Sequence, residues 1–142
     1  SSGSAYKGTN SLGRIYDLKT NVAADDYTDL ANFITILNNT AIGELPQKLE
    51  AVFNVNSYLR YMAMEVLTGH WDGYSYNKNN FYLYHNQATG KFEFIPYDTD
   101  NTFGIDWFGK DWGTRNIYSR NTCWGNKNCF VVNFFTNLLD DI

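Results

Sequence analysis

The sequence predicts an α+β fold, mainly helical, with one β-hairpin set between two polar loops. Three observations predict it. Apolar residues recur at helical spacing through residues 25–69. The pattern then changes to two short strand-like runs around a turn at residues 81–95. The stretches on either side of that hairpin, residues 69–80 and 98–104, are rich in Asp and Asn and have no periodicity.

The elements follow in order. Residues 1–24 are polar and irregular, with a short apolar patch at Leu12, Ile15, Tyr16 and Leu18; they predict a loop with at most one short strand. Asp25 or Asp26 then caps a first helix, because a short carboxylate can accept from the free N–H groups of a first helical turn. Leu30, Phe33, Ile34 and Leu37 form its apolar stripe, and Asn38-Asn39 ends it. A second helix is predicted from Leu45, with Pro46 in its first turn and Leu49, Val52 and Phe53 on its apolar face. A third starts with Asn56 or Ser57 as cap and is lined by Tyr58, Leu59, Met62, Ala63, Val66 and Leu67. Gly69 stands where a left-handed C-terminal cap belongs. Phe81-Tyr82-Leu83-Tyr84 and Lys91-Phe92-Glu93-Phe94-Ile95 make the hairpin, with residues 86–90 as its turn. A last helix is predicted from about Phe130, with Val132, Phe135, Leu138 and Leu139 on one side.

Composition narrows the function. The chain has 142 residues, of which 44 % are apolar and 18 % aromatic, enough to build a core. Its net charge is −4 and its 11 basic residues are scattered. A nucleic-acid surface, which needs clustered Lys and Arg, is therefore not expected. No stretch approaches the roughly 18 consecutive apolar residues of a membrane span. Cys123 and Cys129 flank a polar, turn-prone loop and suit a local disulfide, as in an extracellular protein, with free thiols as the alternative. The polar start and the abrupt Leu138-Leu139-Asp140-Asp141-Ile142 end suggest a fragment of a larger protein.

The chemistry lies in the two loops. The first holds His70, Trp71, Asp72, Asn77, Asn79 and Asn80; the second holds Asp98, Asp100 and Asn101. A hairpin returns the chain to where it left, so the two loops are neighbours. Converging carboxylates and amides are hard oxygen ligands, suited to Mg²⁺ or Ca²⁺ rather than zinc or copper. Phosphoryl transfer needs metal ligands on the phosphates and one further carboxylate to orient the attacking hydroxyl. The order helix, Asp-and-Asn loop, hairpin, metal-binding Asp, Phe-Gly is that of the catalytic half of a protein kinase. The consensus triplets differ: His70-Trp71-Asp72 stands for His-Arg-Asp, and Asp98-Thr99-Asp100-Asn101-Thr102-Phe103-Gly104 replaces the shorter metal motif.

Specific strings add a resemblance. Leu67-Thr68-Gly69-His70-Trp71-Asp72-Gly73-Tyr74-Ser75, Asn79-Asn80-Phe81-Tyr82-Leu83-Tyr84-His85-Asn86 and, above all, the block from Gly90 to Gly104 resemble the CotH family of atypical kinases. Tyr6-Lys7-Gly8 and the stretch from Tyr16 to Asn21 add to it, so that it spans roughly residues 5–120. The resemblance implies a secreted or spore-surface kinase that moves the γ-phosphate of ATP, with Mg²⁺ or Mn²⁺, to Ser or Thr of coat or other extracellular proteins. Related domains occur in secreted proteins of cellulose-degrading microbes. It implies Asp72 as the catalytic carboxylate, Asn80 and Asp98 as cofactor-binding residues, and Asn80, Asp98 and Asp100 as metal ligands. Asn77 and Asn79 compete with Asn80, and Asn77 has the five-residue offset from Asp72 seen in ordinary kinases. His70 and His85 are expected to be structural, and Phe103-Gly104 to pack beneath the acidic loop. On this reading residues 1–142 are one fragment of a kinase-like domain, without the lobe that supplies the phosphate-binding Lys; Lys7 and Lys19 are poor candidates for it.

Other classes fit parts of the pattern. Asp98, Asp100, Asn101 and Asp106 could serve a calcium-stabilised carbohydrate- or protein-binding module, with Trp71, Trp107 and Trp112 stacking on sugar rings. A degenerate structural coat or adhesion protein would keep the acidic residues as local scaffolding only. Paired carboxylates also occur in glycosidases, but no barrel or sandwich pattern accompanies them here.

Overall fold

A computed structural model describes residues 3–8, 16–77, 79–111 and 114. The expected C-terminal helix and the Cys123–Cys129 pair lie outside the described residues. Within them the chain is α+β. Strands β1 (Ala5–Gly8) and β2 (Tyr16–Leu18) are followed by a 3-10 turn and helices α1 (Thr28–Asn39), α2 (Leu45–Val52) and α3 (Val55–Thr68). The short α4 (Tyr74–Asn77) precedes strands β3 (Phe81–Asn86) and β4 (Lys91–Pro96). No described helix is long and apolar enough to cross a membrane.

The hairpin forms one side of a four-stranded antiparallel sheet of order β2-β1-β3-β4, with β4 at its edge. The sequence predicts a loop with at most one short strand before α1; two strands form there instead. The reason is pairing. β1 lacks enough apolar residues to signal a strand by itself, but it lies along β3 with Tyr6 opposite Leu83, and β2 then pairs to it with Leu18 opposite Tyr6.

Alternation along the hairpin decides which face is buried. Phe81 and Leu83 on β3 and Phe92 and Phe94 on β4 point to one side and are buried, with α1, α2 and α3 contributing Leu30, Phe33, Leu45, Leu49 and Tyr58. Aromatic rings fill this core. Phe92 stacks on Phe33 at 4.7 Å between ring centroids, Phe81 on Phe94 at 5.1 Å, and Tyr58 meets Phe94 edge-on at 5.1 Å. Offset and edge-on contacts of this kind suit the ring quadrupoles.

Local chemistry sets the helix ends. Asp26 accepts from both the N–H and the hydroxyl of Thr28, at 2.9 and 2.6 Å, and these bonds hold its carboxyl below the usual range. The cap of α3 is Asn54, two or three residues before the predicted Asn56 or Ser57. Its side chain accepts from the Ser57 N–H, its own N–H donates to the Phe92 carbonyl, and its amide donates to Glu93 at 2.8 Å. One residue thus caps α3 and fastens it to β4. Gly69 ends the helix at φ 66°, as its position predicts.

The buried face of α3 also departs from the predicted stripe. Tyr58 and Met62 turn inward as predicted, but Leu67 is 73 % exposed and Leu59 and Ala63 are exposed, and Tyr61 and Glu65 turn inward in their place. Helical period favours either face, and the flat aromatic surface of β4 selects the one carrying Tyr58 and Tyr61.

Phe92 touches Phe33 and stacks on His85, and is almost wholly buried. Phe92→Ala should cost about 3–5 kcal/mol of stability. Phe103→Ala, at an exposed position, should stay within about 0.5 kcal/mol. Urea unfolding of the two variants checks both.

Candidate functional site

The hairpin does bring its flanking loops together. Phe81 pairs with Pro96, and the Tyr97 N–H donates to the Asn80 carbonyl at 2.9 Å, so the chain leaves β4 beside the point where it entered β3. Two backbone features shape the junction. Asn80 and Asp98 both adopt left-handed φ, 56° and 50°, a region that Asn and Asp enter more readily than most residues.

The first loop is organised around Asp72. Its Oδ1 accepts from the Asn77 amide at 2.6 Å, and its Oδ2 accepts from the Asn80 amide at 2.8 Å. The Asn80 amide also donates to the Asp72 carbonyl at 3.1 Å. Asn77 and Asn80 thus both hold the same carboxylate, from its two oxygens. Asn80 is buried while Asp72 is half-buried, so the aspartate presents its remaining lone pairs toward solvent from a braced position. Asn79 takes no described part in this bracing.

The second loop is tied back to α3 and the first loop by three bonds. The Phe103 N–H donates to the Thr68 carbonyl at 2.8 Å, satisfying one of the last helical carbonyls. His70 Nδ1 lies 3.0 Å from the Asn101 carbonyl, which makes Nδ1 the protonated ring nitrogen. The Trp71 indole donates to the Ile105 carbonyl at 2.8 Å. His70 is thus structural, as the sequence predicts, and so is His85, which lies 2.9 Å from Asp29 and stacks on Phe92. The Phe103 side chain does not pack beneath the loop. It is 85 % exposed, because left-handed φ at Phe103 turns its N–H into Thr68 and the ring outward.

Asp98 and Asp100 are exposed side by side in this loop. A hydrogen bond with the Asp100 carboxyl, and then its negative charge, push the Asp98 carboxyl above the usual range; Asp72 adds to the rise and His70 opposes it. Among the described residues, no three His, Cys, Asp or Glu side chains are grouped to hold a metal by themselves. A cation here would have at most two protein carboxylates at once. That donor set fits Mg²⁺, which keeps water and substrate phosphate in most of its shell, better than a dedicated calcium cage. Asp106 is engaged elsewhere, accepting from the N–H groups of Phe108 and Lys110 at 2.9 and 2.6 Å. Lys19 lies 3.4 Å from Asp17 and so already has a carboxylate partner.

One participant carries no motif signal. Glu65 of α3 is 2 % exposed, and its Oε1 accepts from both the N–H and the hydroxyl of Ser75, each at 2.6 Å. Its place seven residues after Tyr58, on the face that turns inward, was the available sign. Burial, and then the charge of Glu65, push the Tyr61 hydroxyl far above the ordinary tyrosine range.

The CotH kinase protein family model matches residues 3–141 of this sequence. The chain belongs to the CotH family. Among curated proteins it is similar to the inner spore coat protein H of Bacillus subtilis (strain 168), 34 % identical over 95 residues, covering 67 % of this chain and 25 % of that protein. It is also similar to two invasins of Rhizopus delemar. CotH2 is 37 % identical over 57 % of this chain and 12 % of its own length; CotH3 is 33 % identical over 59 % and 14 %. The chain thus spans a quarter or less of the curated relatives it matches. The resemblance carried by the Asp72 and Asp98 strings is a family membership.

The Asp98–Asp100 pair gives a pH test. A carboxyl whose folded pKa lies above its unfolded value costs stability once pH rises through that interval, and the cost is full at neutral pH. Asp100→Asn should therefore raise the melting temperature at pH 7 and leave it unchanged near pH 3. Added Mg²⁺ should raise the melting temperature of the CotH protein at pH 7 more than that of the variant. Differential scanning fluorimetry at the two pH values reads both.

Proposed function

We propose that this chain is the part of a CotH-type kinase domain that holds the catalytic and metal-binding loops, and that the domain transfers the ATP γ-phosphate to Ser or Thr hydroxyls of secreted or coat proteins. The observation that carries this reading is the Asp72 carboxylate, braced on both oxygens by Asn77 and Asn80, at the end of a hairpin whose other end bears Asp98 and Asp100.

In that role Asp72 would accept the proton-bearing side of the substrate hydroxyl and aim its oxygen in line with the phosphorus. Two neutral amide donors suit this task, because they fix the carboxylate without neutralising it. Asp98 and Asp100 would hold the divalent cation, Mg²⁺ or Mn²⁺, with the amide oxygen of Asn80 as the further donor of that shell. The cation, when bound, supplies charge neutralisation at the phosphate oxygens. Its presence would also relieve the repulsion that raises the Asp98 carboxyl. The phosphate-binding Lys and the rest of the nucleotide site would come from elsewhere in the longer protein, residues 1–142 being one portion of the domain. An extracellular or spore-surface location follows from the same reading, supported by the names of the spore coat and invasin relatives.

The carbohydrate-binding alternative loses two of its parts. Trp71 is 4 % exposed and bonded to Ile105, so it offers no ring face to a sugar, and Asp106 is engaged with its own turn.

Transfer of labelled phosphate from ATP with Mg²⁺, in the full-length protein, tests the proposal. Asp98→Ala should abolish incorporation, and Asp72→Asn should lower kcat about 100-fold or more. Incorporation equal to wild type in Asp98→Ala removes that residue from the mechanism. ATP that neither binds nor reacts with the wild-type protein replaces the kinase reading with a structural coat or adhesion scaffold.

A further inference from the structure

A buried carboxylate inside a helix, facing a loop and, among the described residues, no cation, needs a reason. Removing an ionisable group from water is costly unless its oxygens find donors, and an apolar side chain of similar size would be cheaper at a core-facing position of α3. Among the described residues, Ser75 satisfies the Glu65 Oε1. Glu65 Oε2, the Tyr61 hydroxyl and His70 Nε2 are buried without a hydrogen bond of good geometry to a described residue, although the Tyr61 hydroxyl lies near enough to Glu65 to be raised by it. Stability alone does not account for this arrangement.

The path of the first loop does. After Gly69 the chain turns through His70, Trp71 and Asp72, and Gly73 then passes directly over the Glu65 carboxyl group. A Cβ placed on Gly73 would fall 2.5 Å from Glu65 Oε1 and 2.6 Å from both Glu65 Cδ and His70 Cδ2. Only a residue without a side chain fits there. Two residues on, the Ser75 N–H and hydroxyl close onto Oε1 and start α4, whose last residue, Asn77, donates to Asp72 Oδ1 at 2.6 Å. Asp72 therefore sits on a loop wrapped around one carboxylate. The same loop carries His70 to the Asn101 carbonyl of the second loop.

We infer that Glu65 is a positioning residue for the site: its carboxylate, by holding Ser75 and seating Gly73, sets the orientation of Asp72 through α4 and Asn77. This role rests on the kinase reading for its catalytic consequence, but not for its geometry. Glu65 touches neither substrate nor metal in this scheme. It acts through the loop, so its loss should misplace a group that must be aligned, a kind of defect worth about 10- to 100-fold in rate.

The test compares Glu65→Gln, Glu65→Met and Ser75→Ala in the full-length protein. Gln keeps an acceptor oxygen for Ser75; Met fills the space without one; Ser75→Ala removes one of the two bonds and leaves Glu65 in place. Two readouts are taken: steady-state phosphate transfer, and amide hydrogen exchange across residues 70–77. Glu65→Met should lower kcat about 10- to 100-fold with KM for ATP within about threefold, and should speed exchange at the Ser75 amide about tenfold or more. Glu65→Gln should restore both to within about threefold of wild type, and Ser75→Ala should lie between. Retention of wild-type kcat and Ser75 protection in Glu65→Met overturns the inference. If Glu65→Met does not fold, Ser75→Ala decides: unchanged kcat and unchanged exchange at residues 70–77 overturn it as well. A wild-type protein that transfers no phosphate defeats the kinase reading, while the exchange comparison still decides whether Glu65 holds the loop.

Discussion

The β3–β4 ladder is the constraint on which the rest depends. Its six registered pairs, from Phe81 opposite Pro96 to Asn86 opposite Lys91, do two things at once. They line up Phe81, Leu83, Phe92 and Phe94 on one face, which gives the helices a surface to bury. They also bring residues 80 and 97 within one hydrogen bond, which joins the two polar loops. A shift of the register by a single residue would turn the aromatic face to solvent and separate the loops, so core and site are specified by the same pairing. Asn54 extends the arrangement to α3, since it caps that helix while bonded to both Phe92 and Glu93.

From α3 onward the structure spends polar groups on position. The last turn of the helix is closed by Gly69 on one side and by the Phe103 N–H on the other, so the second loop completes the end of the first element. Glu65, His70, Asn80 and Asn101 are all buried: Glu65 holds Ser75, Asn80 holds Asp72, and His70 bonds the Asn101 carbonyl across the two loops. Buried polar contacts of this kind specify one arrangement more than they add stability. The exposed carboxylates Asp98 and Asp100 are the exception that the reading of the site needs. A hydrogen bond with Asp100, and then its charge, raises the Asp98 carboxyl.

Much of this was legible in the sequence. The hairpin, α1, α2 and the Gly69 cap announce themselves through alternation, helical spacing and a left-handed glycine position, all local signals. The neighbouring of the Asp72 and Asp98 loops followed from the hairpin alone. What was not legible is non-local. β1 and β2 are strands only because β3 offers them an edge. The inward face of α3 was misread because Leu59 and Leu67 look more apolar than Tyr61 and Glu65, yet the aromatic surface of β4 and the Ser75 donors favour the latter. Phe103 was expected inside and lies outside, since its backbone, not its ring, is the part that docks.

The three asparagines show the same limit at the level of the site. In the sequence Asn80, just before the hairpin, was the expected metal-binding residue, with Asn79 and Asn77, the latter at an offset of five from Asp72, as its competitors. The structure brings two of them to one carboxylate: Asn77 reaches Asp72 from the far end of α4, and Asn80 reaches it from the foot of β3. The carboxylate is therefore referenced to two elements that are themselves fixed by different means, α4 through Glu65 and β3 through the ladder. A group held from two independent directions cannot swing when either one flexes. On the proposed reading that is the property an orienting carboxylate needs, and it would arise from a loop in which no residue but Asp72 itself need meet the substrate.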